Sequence, residues 1–213
     1  MDVSLRTERS RSVIIAFLLM TAVLAIAPFF VYPLFLMQAI CFALFACSFN
    51  LLIGYVGLLS FGHALYFGWA GYAAAHLAKI GTISIPFWFG GWKWLVIPLP
   101  PLPPELAILG GMLFATLLGL IAGALAIRRQ GIYFAMITLA LAQMMFFFAL
   151  QAPFTHGEDG IQAVPRGKMF GFIDLSNQMT MYAVVLAIFL FCFLLIYRII
   201  HSPFGEVLKA IRE

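Results

Sequence analysis

The stretch from Asn50 to Ala75, NLLIGYVGLLSFGHALYFGWAGYAAA, is apolar enough for a membrane interior and yet contains five glycines. Glycine weakens a helix by about 1 kcal/mol relative to alanine, so this density requires close helix contact or non-helical backbone. The hydrocarbon interior of a membrane contains no water that could hydrogen-bond to unpaired backbone groups. Non-helical chain is therefore tolerated there only where it lies against protein or beside a water-filled cavity. The stretch therefore predicts a glycine-interrupted membrane segment at 54–62, which is the leading candidate for a solute pathway.

The composition indicates an integral membrane protein. The chain has 213 residues, of which 64% are hydrophobic and 9% are charged, and its mean hydropathy is +1.07. Soluble domains are about 45–50% apolar and about 25% charged. The apolar runs predict an all-α, polytopic transmembrane helical bundle of about six spans, each roughly 20 residues long. These spans are predicted at 13–31, 34–53, 62–79, 106–127, 132–151 and 179–198.

The basic residues lie at the ends of apolar runs, so the net charge of +4 indicates topology and not nucleic-acid binding. A cytoplasmic amino terminus places eight Lys and Arg residues inside and four outside, in agreement with the positive-inside rule. The inner set is Arg6, Arg9, Arg11, Arg128, Arg129, Arg198, Lys209 and Arg212, and the outer set is Lys79, Lys93, Arg166 and Lys168. We expect a cytoplasmic segment at 1–12, a transmembrane domain at 13–200 and the start of a cytoplasmic helix at 201–213.

Two outer loops separate the predicted spans. In the first, five prolines between Pro98 and Pro104 predict a stiff, extended connector that ends at Glu105, in the first turn of the fourth span. Trp88, Trp92 and Trp94 in that loop favour the bilayer interface. The second loop, 152–178, contains Glu158 and Asp159, which form either a plain turn or a docking surface for an external partner.

The last twelve residues predict an amphipathic cytoplasmic helix. Ser202 is placed to cap it, Pro203 suits its first position, and Glu206 complements its dipole. One face carries Phe204, Val207, Leu208 and Ile211, and the opposite face turns Lys209 and Arg212 to solvent. Because the sequence stops inside this helix, we expect the 213 residues to be the front portion of a longer protein.

Enzymatic interpretations find little support in the residues. The sequence has neither a phosphate-binding G-x-x-x-x-G-K-[ST] motif nor a zinc-binding H-E-x-x-H motif, and its three cysteines lie in apolar runs. No cofactor and no metal site is predicted. Ser60 and His63 resemble the pair of an intramembrane serine enzyme, although Ser60 lacks the G-x-S-x-G context. That enzyme and an uncoupled small-solute channel are the alternatives to a transport subunit.

The predicted spans contain no Asp, Glu or paired basic residues of the kind that an ion-coupled carrier would use, so a transporter would take its energy from another subunit. Interhelical hydrogen bonding is the alternative to solute contact for each polar candidate. The candidate pathway residues are Asn50, Gly54, Gly57, Ser60, Gly62, His63, Thr138 and Gln143. A second set of small residues recurs on one helix face and predicts close helix packing: Ala64, Gly68, Gly71 and Ala75.

Four blocks together resemble the permease subunit of branched-chain amino acid ABC importers of the Liv type. They are residues 50–75, RRQGIYFAMITLALAQ at 128–143, THGEDGI at 155–161 and HSPFGEVLKAIRE at 201–213. The resemblance implies a multi-pass subunit of the bacterial inner membrane that works by alternating access. Its implied partners are a second homologous permease, two cytoplasmic ATPases, an external substrate-binding protein and the lipid bilayer.

The same resemblance implies a role for the carboxy-terminal block, which leads into the loop that engages an ATPase in that family. The implied coupling residues are Ser202, Pro203, Phe204, Gly205, Glu206, Lys209 and Arg212. Leucine, isoleucine and valine are the family's usual solutes, and related permeases resemble importers of urea or short amides.

Overall fold

The computed structural model describes residues 2–79, 82–85, 95–98, 102–128 and 131–212. Seven α-helices and one π-helix make up most of this chain. The α-helices are α1 (Asp2–Ile26), α2 (Pro33–Asn50), α3 (His63–Lys79), α4 (Pro104–Ala126), α5 (Ile132–Gln151), α6 (Gln178–Ile200) and α7 (Pro203–Arg212), and the π-helix is Leu51–Val56.

The all-α polytopic bundle is confirmed. Within the described residues, five helical segments are long and apolar enough to cross a membrane. They are Ser12–Phe29, Pro33–Val56, Pro104–Ala126, Ile132–Gln151 and Gln178–Ile200. The predicted span at 62–79 corresponds to α3, which has only 17 residues and lies at the lower limit of the roughly 17–25 residues that cross a bilayer.

The helices pack mainly as two pairs, α3 against α4 and α2 against α6. Met37 and Ile40 of α2 form a buried cluster with Tyr182 and Phe189 of α6. The Tyr182 hydroxyl donates a hydrogen bond to the Leu24 carbonyl oxygen at 2.5 Å, which ties α1 to this pair. Many large apolar side chains remain exposed, as expected of surfaces that face lipid rather than water.

The predicted interruption near 54–62 is present and begins slightly earlier than expected. After α2 the chain continues as the π-helix and then turns at Gly57, whose φ of 75° lies in the left-handed region. Residues 57–62 are not helical, and α3 begins at His63. We call residues 51–62 the break.

The first outer loop differs in part from its prediction. Strands β1 (Thr82–Ile85) and β2 (Leu95–Pro98) pair antiparallel, with Thr82 opposite Pro98 and Ile85 opposite Leu95. The sequence predicted only an extended connector, because the hairpin depends on pairing between distant residues. Glu105 does lie in the first turn of α4. The interfacial positions predicted for Trp88, Trp92 and Trp94 lie outside the described residues.

The second outer loop contains short regular segments. Two 3-10 turns, Pro153–Thr155 and Gly157–Asp159, follow α5 directly. Strands β3 (Lys168–Met169) and β4 (Ile173–Asp174) then form a small antiparallel hairpin before α6 begins.

Candidate functional site

Backbone donors in the break have partners inside the protein. The Gly57 N–H donates to the Leu52 carbonyl oxygen, and the Leu58 N–H donates to the same oxygen at 3.3 Å. Further along, the Phe61 N–H donates to Thr138 Oγ1 at 3.1 Å. These bonds allow non-helical chain to lie among apolar helices, where an unsatisfied backbone group costs several kcal/mol.

Thr138 holds the break against α5, and Ser60 stabilises the turn inside the break. Both are only 3% exposed. Thr138 Oγ1 donates to the Ala135 carbonyl oxygen at 2.9 Å while it accepts the bond from the break, and Ser60 Oγ accepts the Gly62 N–H at 3.3 Å. A Cβ on Gly62 would lie 3.3 Å from Thr138 Cβ, so the glycine permits this close approach. The geometry favours hydrogen bonding between segments for the Thr138 hydroxyl, the alternative that the sequence left open, whereas the Ser60 hydroxyl bonds within the break.

His63 opens α3 and lies among aromatic rings of α2 and α3. Its ring centroid is 5.0 Å from that of Phe49, 6.3 Å from Phe45 and 6.2 Å from Tyr66. Its Nδ1 makes no hydrogen bond of ordinary geometry within the described residues, and the Ser60 backbone is close enough to the imidazole to act on it as a hydrogen-bond partner. The Ser60 hydroxyl interacts with the Gly62 N–H, so the described residues do not show the bond from Ser60 Oγ to His63 that a serine enzyme would use.

An apolar groove of about 300 Å³ lies between α3 and α5, next to the break. Ala64 and Gly68 line it from α3, and Leu139, Gln143 and Phe146 line it from α5. Of the predicted pathway residues, Gln143 alone is among the described residues that line this groove. The predicted pathway residues thus lie in different places. Gln143 lines the groove, Gly62 and Thr138 lie at the contact between the break and α5, and Asn50 and Gly54 lie at the start of the break.

Asn50 and Gly54 lie at the start of the break, away from that groove. A Cβ on Gly54 would lie 2.7 Å from Asn50 Oδ1, so the glycine leaves the space that the amide of Asn50 occupies. Asn50 itself is exposed.

Gly68 and Gly71 of α3 make no close helix contact within the described residues. No described atom lies within 4 Å of the position that a Cβ on Gly68 or Gly71 would take. Packing of the set Ala64, Gly68, Gly71 and Ala75 on a helix of another subunit stays a prediction. The close contact in this chain occurs instead at Gly111 of α4, where a Cβ would lie 2.8 Å from the Ala70 carbonyl oxygen. Adjacent glycines at 110–111 were the sequence signal for this contact, and the sequence reasoning missed it.

The loop 152–178, which contains Glu158 and Asp159, is attached to α5 and α3. Thr155 is 0% exposed, and its hydroxyl lies 2.5 Å from the Ala149 and 2.7 Å from the Ala152 carbonyl oxygen. Lys79 Nζ donates to the Gln162 carbonyl oxygen at 3.1 Å. Both Glu158 and Asp159 are exposed on this fixed loop.

Asp174, a third carboxylate of this loop, has a defined local partner. The Ser176 N–H donates to Asp174 Oδ1 at 2.9 Å. This hydrogen bond holds the pKa of the Asp174 carboxyl below its usual value, because it stabilises the charged form.

Helix α7 is fixed to the end of α6 by a short turn. Ser202 Oγ donates to the Ile199 carbonyl oxygen at 2.6 Å and accepts the Gly205 N–H at 3.4 Å. A Cβ on Gly205 would lie 2.6 Å from that same Ile199 oxygen, so only glycine fits without a shift. From this position α7 contacts the π-helix of the break.

The surface of α7 only partly matches its prediction. Phe204 is 61% exposed and Val207 is 56% exposed, so part of the apolar face is uncovered in this chain. Leu208 and Lys209 are partly buried, and Lys209 Nζ lies 3.4 Å from Glu206 Oε1. The side chains of Ile211 and Arg212 lie outside the described residues.

A multi-span helical bundle with a stabilised break in one membrane segment defines a polytopic membrane protein. The family described as "Branched-chain amino acid transport system / permease component" matches residues 31–213. The chain belongs to this family. Searches of curated proteins and of solved structures find no match. Within the described residues, no group of three or more His, Cys, Asp or Glu side chains is placed to hold a metal ion.

Proposed function

We propose that this chain is a transmembrane subunit of an ABC importer that carries branched-chain amino acids across the bacterial inner membrane. The observation that carries the proposal is the break, a π-helix followed by non-helical chain that Thr138 holds to α5, in a chain of the branched-chain amino acid permease family. Irregular backbone at membrane depth is typical of substrate pathways. The chain performs no covalent chemistry in this proposal.

Energy for the import comes from two cytoplasmic ATPases. Phe204 and Val207 form an exposed apolar patch on α7, and such a patch on a short amphipathic helix is suited to a hydrophobic groove of a partner. Because α7 also contacts the π-helix, a displacement of α7 by an ATPase acts directly on the break. The amino terminus is cytoplasmic in this arrangement, on the same side as α7.

Two further surfaces have proposed partners. The exposed Glu158 and Asp159 on the fixed outer loop receive the external substrate-binding protein. The uncovered face of Gly68 and Gly71 receives the second, homologous permease, since small residues let helices approach closely in membranes. Solute specificity extends to leucine, isoleucine and valine, with urea-like or amide solutes as the alternative class.

The decisive experiment reconstitutes the chain with its second permease, two ATPases and binding protein in proteoliposomes. Uptake of radiolabelled leucine should require both ATP and the binding protein. The double variant F204S/V207S should lower ATP hydrolysis stimulated by the loaded binding protein about tenfold, while insertion and thermal stability stay unchanged. Tenfold corresponds to a loss of about 1.4 kcal/mol of coupling.

The comparison variant is E206Q/K209Q, which removes the ion pair between two other proposed coupling residues of the same helix. Largely exposed pairs contribute roughly 0–1 kcal/mol, so stimulated hydrolysis should fall, but by less than in F204S/V207S. Leucine flux without any ATPase would instead indicate an uncoupled channel. Proteolysis that disappears in Ser60→Ala would indicate the intramembrane enzyme, because an importer should largely keep its uptake in that variant.

A further inference from the structure

An open cavity of about 630 Å³ lies between α3, α4 and the loop 152–178, and we call it the outer cavity. Its helix walls contain the small side chains of Ala74, Ala75 and Ala78 on α3 and of Ala107 on α4. The described residues that line it are all different from those that line the groove beside the break. Its volume lies within the range of about 300–1,000 Å³ that is typical of small-molecule sites.

Residues 163–166 line the outer cavity from the loop and are fixed on both sides. On one side, Lys79 Nζ at the end of α3 donates to the Gln162 carbonyl oxygen at 3.1 Å. On the other side, Gly167 lies against the start of α4, where a Cβ on this glycine would lie 3.3 Å from Pro104 Cγ. The backbone at 163–166 is therefore held in place relative to both helix walls.

Arg166 is the one charged residue among the described residues that line the outer cavity. It is exposed, and it forms no ion pair within the described part of the chain. Two neighbouring cations are already engaged, since Lys79 donates to the loop backbone and Lys168 interacts with the Asp174 carboxylate. A guanidinium presents parallel N–H donors that match the two oxygens of a carboxylate. Arg166 is thus available to an anion that enters the cavity.

The lining defines the chemistry of a suitable ligand. Apart from Arg166, every described lining residue is apolar, so the ligand needs an apolar body and a carboxylate at one end. The described lining contains no carboxylate that would bind an ammonium group, and such a group stays hydrated at the open mouth. An aliphatic amino acid meets all of these conditions.

We propose that the outer cavity binds an aliphatic amino acid, with the carboxylate on Arg166 and the side chain against the alanine walls. This inference rests on the proposed function, because its ligand is the proposed solute. Glu158 and Asp159, the proposed docking residues for the binding protein, lie exposed on the same loop. The cavity is therefore placed to receive an amino acid that this protein releases.

Binding is measured on the complete transporter in phosphatidylcholine nanodiscs, without ATP and without the binding protein. Radiolabelled leucine should bind, and isocaproate, which lacks the ammonium group of leucine, should displace it. Isoamylamine, which lacks the carboxylate, should not displace it at the same concentration. Glycine, which lacks the aliphatic side chain, should displace it far less effectively than isocaproate.

Variants of this chain assign the binding to the outer cavity, and the second permease stays unchanged in every sample. Arg166→Gln should weaken leucine binding about tenfold, and Arg166→Lys should weaken it less because it keeps the charge without the parallel donors. Ile108→Ser removes an apolar lining contact at a position that is 38% exposed. It should weaken the binding of leucine and leave that of glycine unchanged.

Lys168→Gln is the matched control for Arg166→Gln. It removes an exposed cation of the same loop that is not among the described residues lining the outer cavity. Leucine binding should change less than about twofold, because an exposed charge away from the ligand contributes little. Equal effects of the two substitutions would overturn the inference.

An anionic lipid also combines an apolar chain with an anion, so the measurement is repeated in nanodiscs that contain phosphatidylglycerol. Leucine binding should be the same as in phosphatidylcholine. A loss of leucine binding there would assign the cavity to lipid and overturn the inference. Displacement of leucine by isoamylamine, or the absence of leucine binding to the wild-type transporter, would also overturn it.

ATP-dependent leucine uptake by the same transporter in proteoliposomes tests the proposed function separately. Arg166-dependent leucine binding without such uptake would support the site in the outer cavity and contradict the proposed function. Uptake without Arg166-dependent binding would support the proposed function and overturn the inference.

Discussion

The glycines of α3 and α4 occupy two contrasting environments. Gly68 and Gly71 of α3 have no described atom within 4 Å of a Cβ position. Gly111 of α4 lies against the backbone of α3, where a Cβ would meet the Ala70 carbonyl oxygen at 2.8 Å and Ala74 Cβ at 3.0 Å. The absence of a side chain therefore has two different effects. At Gly111 it lets the backbone of α3 approach closely, and at Gly68 and Gly71 it leaves a surface of α3 open.

The largest effect should follow from Gly111→Val. The new side chain must displace backbone atoms of α3, and overpacking of this kind costs about 1–3 kcal/mol or more. We expect the variant to unfold at a clearly lower denaturant concentration or to fail to fold in detergent. Gly123→Val on the same helix is the control, since no described atom lies within 4 Å of its Cβ position. Equal losses in both variants would contradict the assignment of the contact to Gly111.

Thr138→Val should have the next largest effect and extends the comparison to the break. Valine matches the shape of threonine but leaves the Phe61 N–H without its acceptor, which costs about 1–3 kcal/mol. The control is Thr116→Val on α4, where the hydroxyl donates to the Met112 carbonyl oxygen of its own helix. Unfolding free energies should differ by more than about 1 kcal/mol between the two variants, and similar values would show that the break does not depend on this bond.

The smallest effect, and one of opposite sign, is expected for Gly68→Ala and Gly71→Ala. Alanine favours a helix by up to about 1 kcal/mol over glycine, and the space for a methyl group is free. The isolated chain should become slightly more stable in unfolding experiments. A loss of stability in the isolated chain would contradict the open environment. Weaker assembly with the second permease at unchanged stability would support the proposed intersubunit contact.

The sequence predicted the break and missed the close contact of α4 with α3. The glycines between Gly54 and Gly62 indicated non-helical chain because their cost is local to the backbone. The same pattern on α3 indicated close packing, yet a periodic stripe identifies only a helix face and not what covers it. Gly111 shows the consequence, since its partner Ala70 is distant in sequence and no local pattern contains it.

The charged residues also predicted the start of the first apolar segment better than the start of the first helix. The arginines before Val13 correctly marked the region where an apolar segment begins, Ser12–Phe29. Helix α1 nevertheless starts at Asp2, because charged residues such as Arg and Glu are good helix formers in water. Ser202 and Pro203 were more informative, since capping and the first-turn position of proline are set within a few residues.

The π-helix at Leu51–Val56 has a consequence for insertions and deletions. A π turn closes its hydrogen bond from i to i+5, so it includes one residue more than an α turn. Deleting one residue within 51–56 allows the remaining chain to wind as a continuous α-helix from α2, whereas a deletion inside α5 rotates everything beyond it by about 100°. Among the described residues, a single-residue deletion within the π-helix should therefore disturb the surrounding helices least, because its effect falls on the break itself.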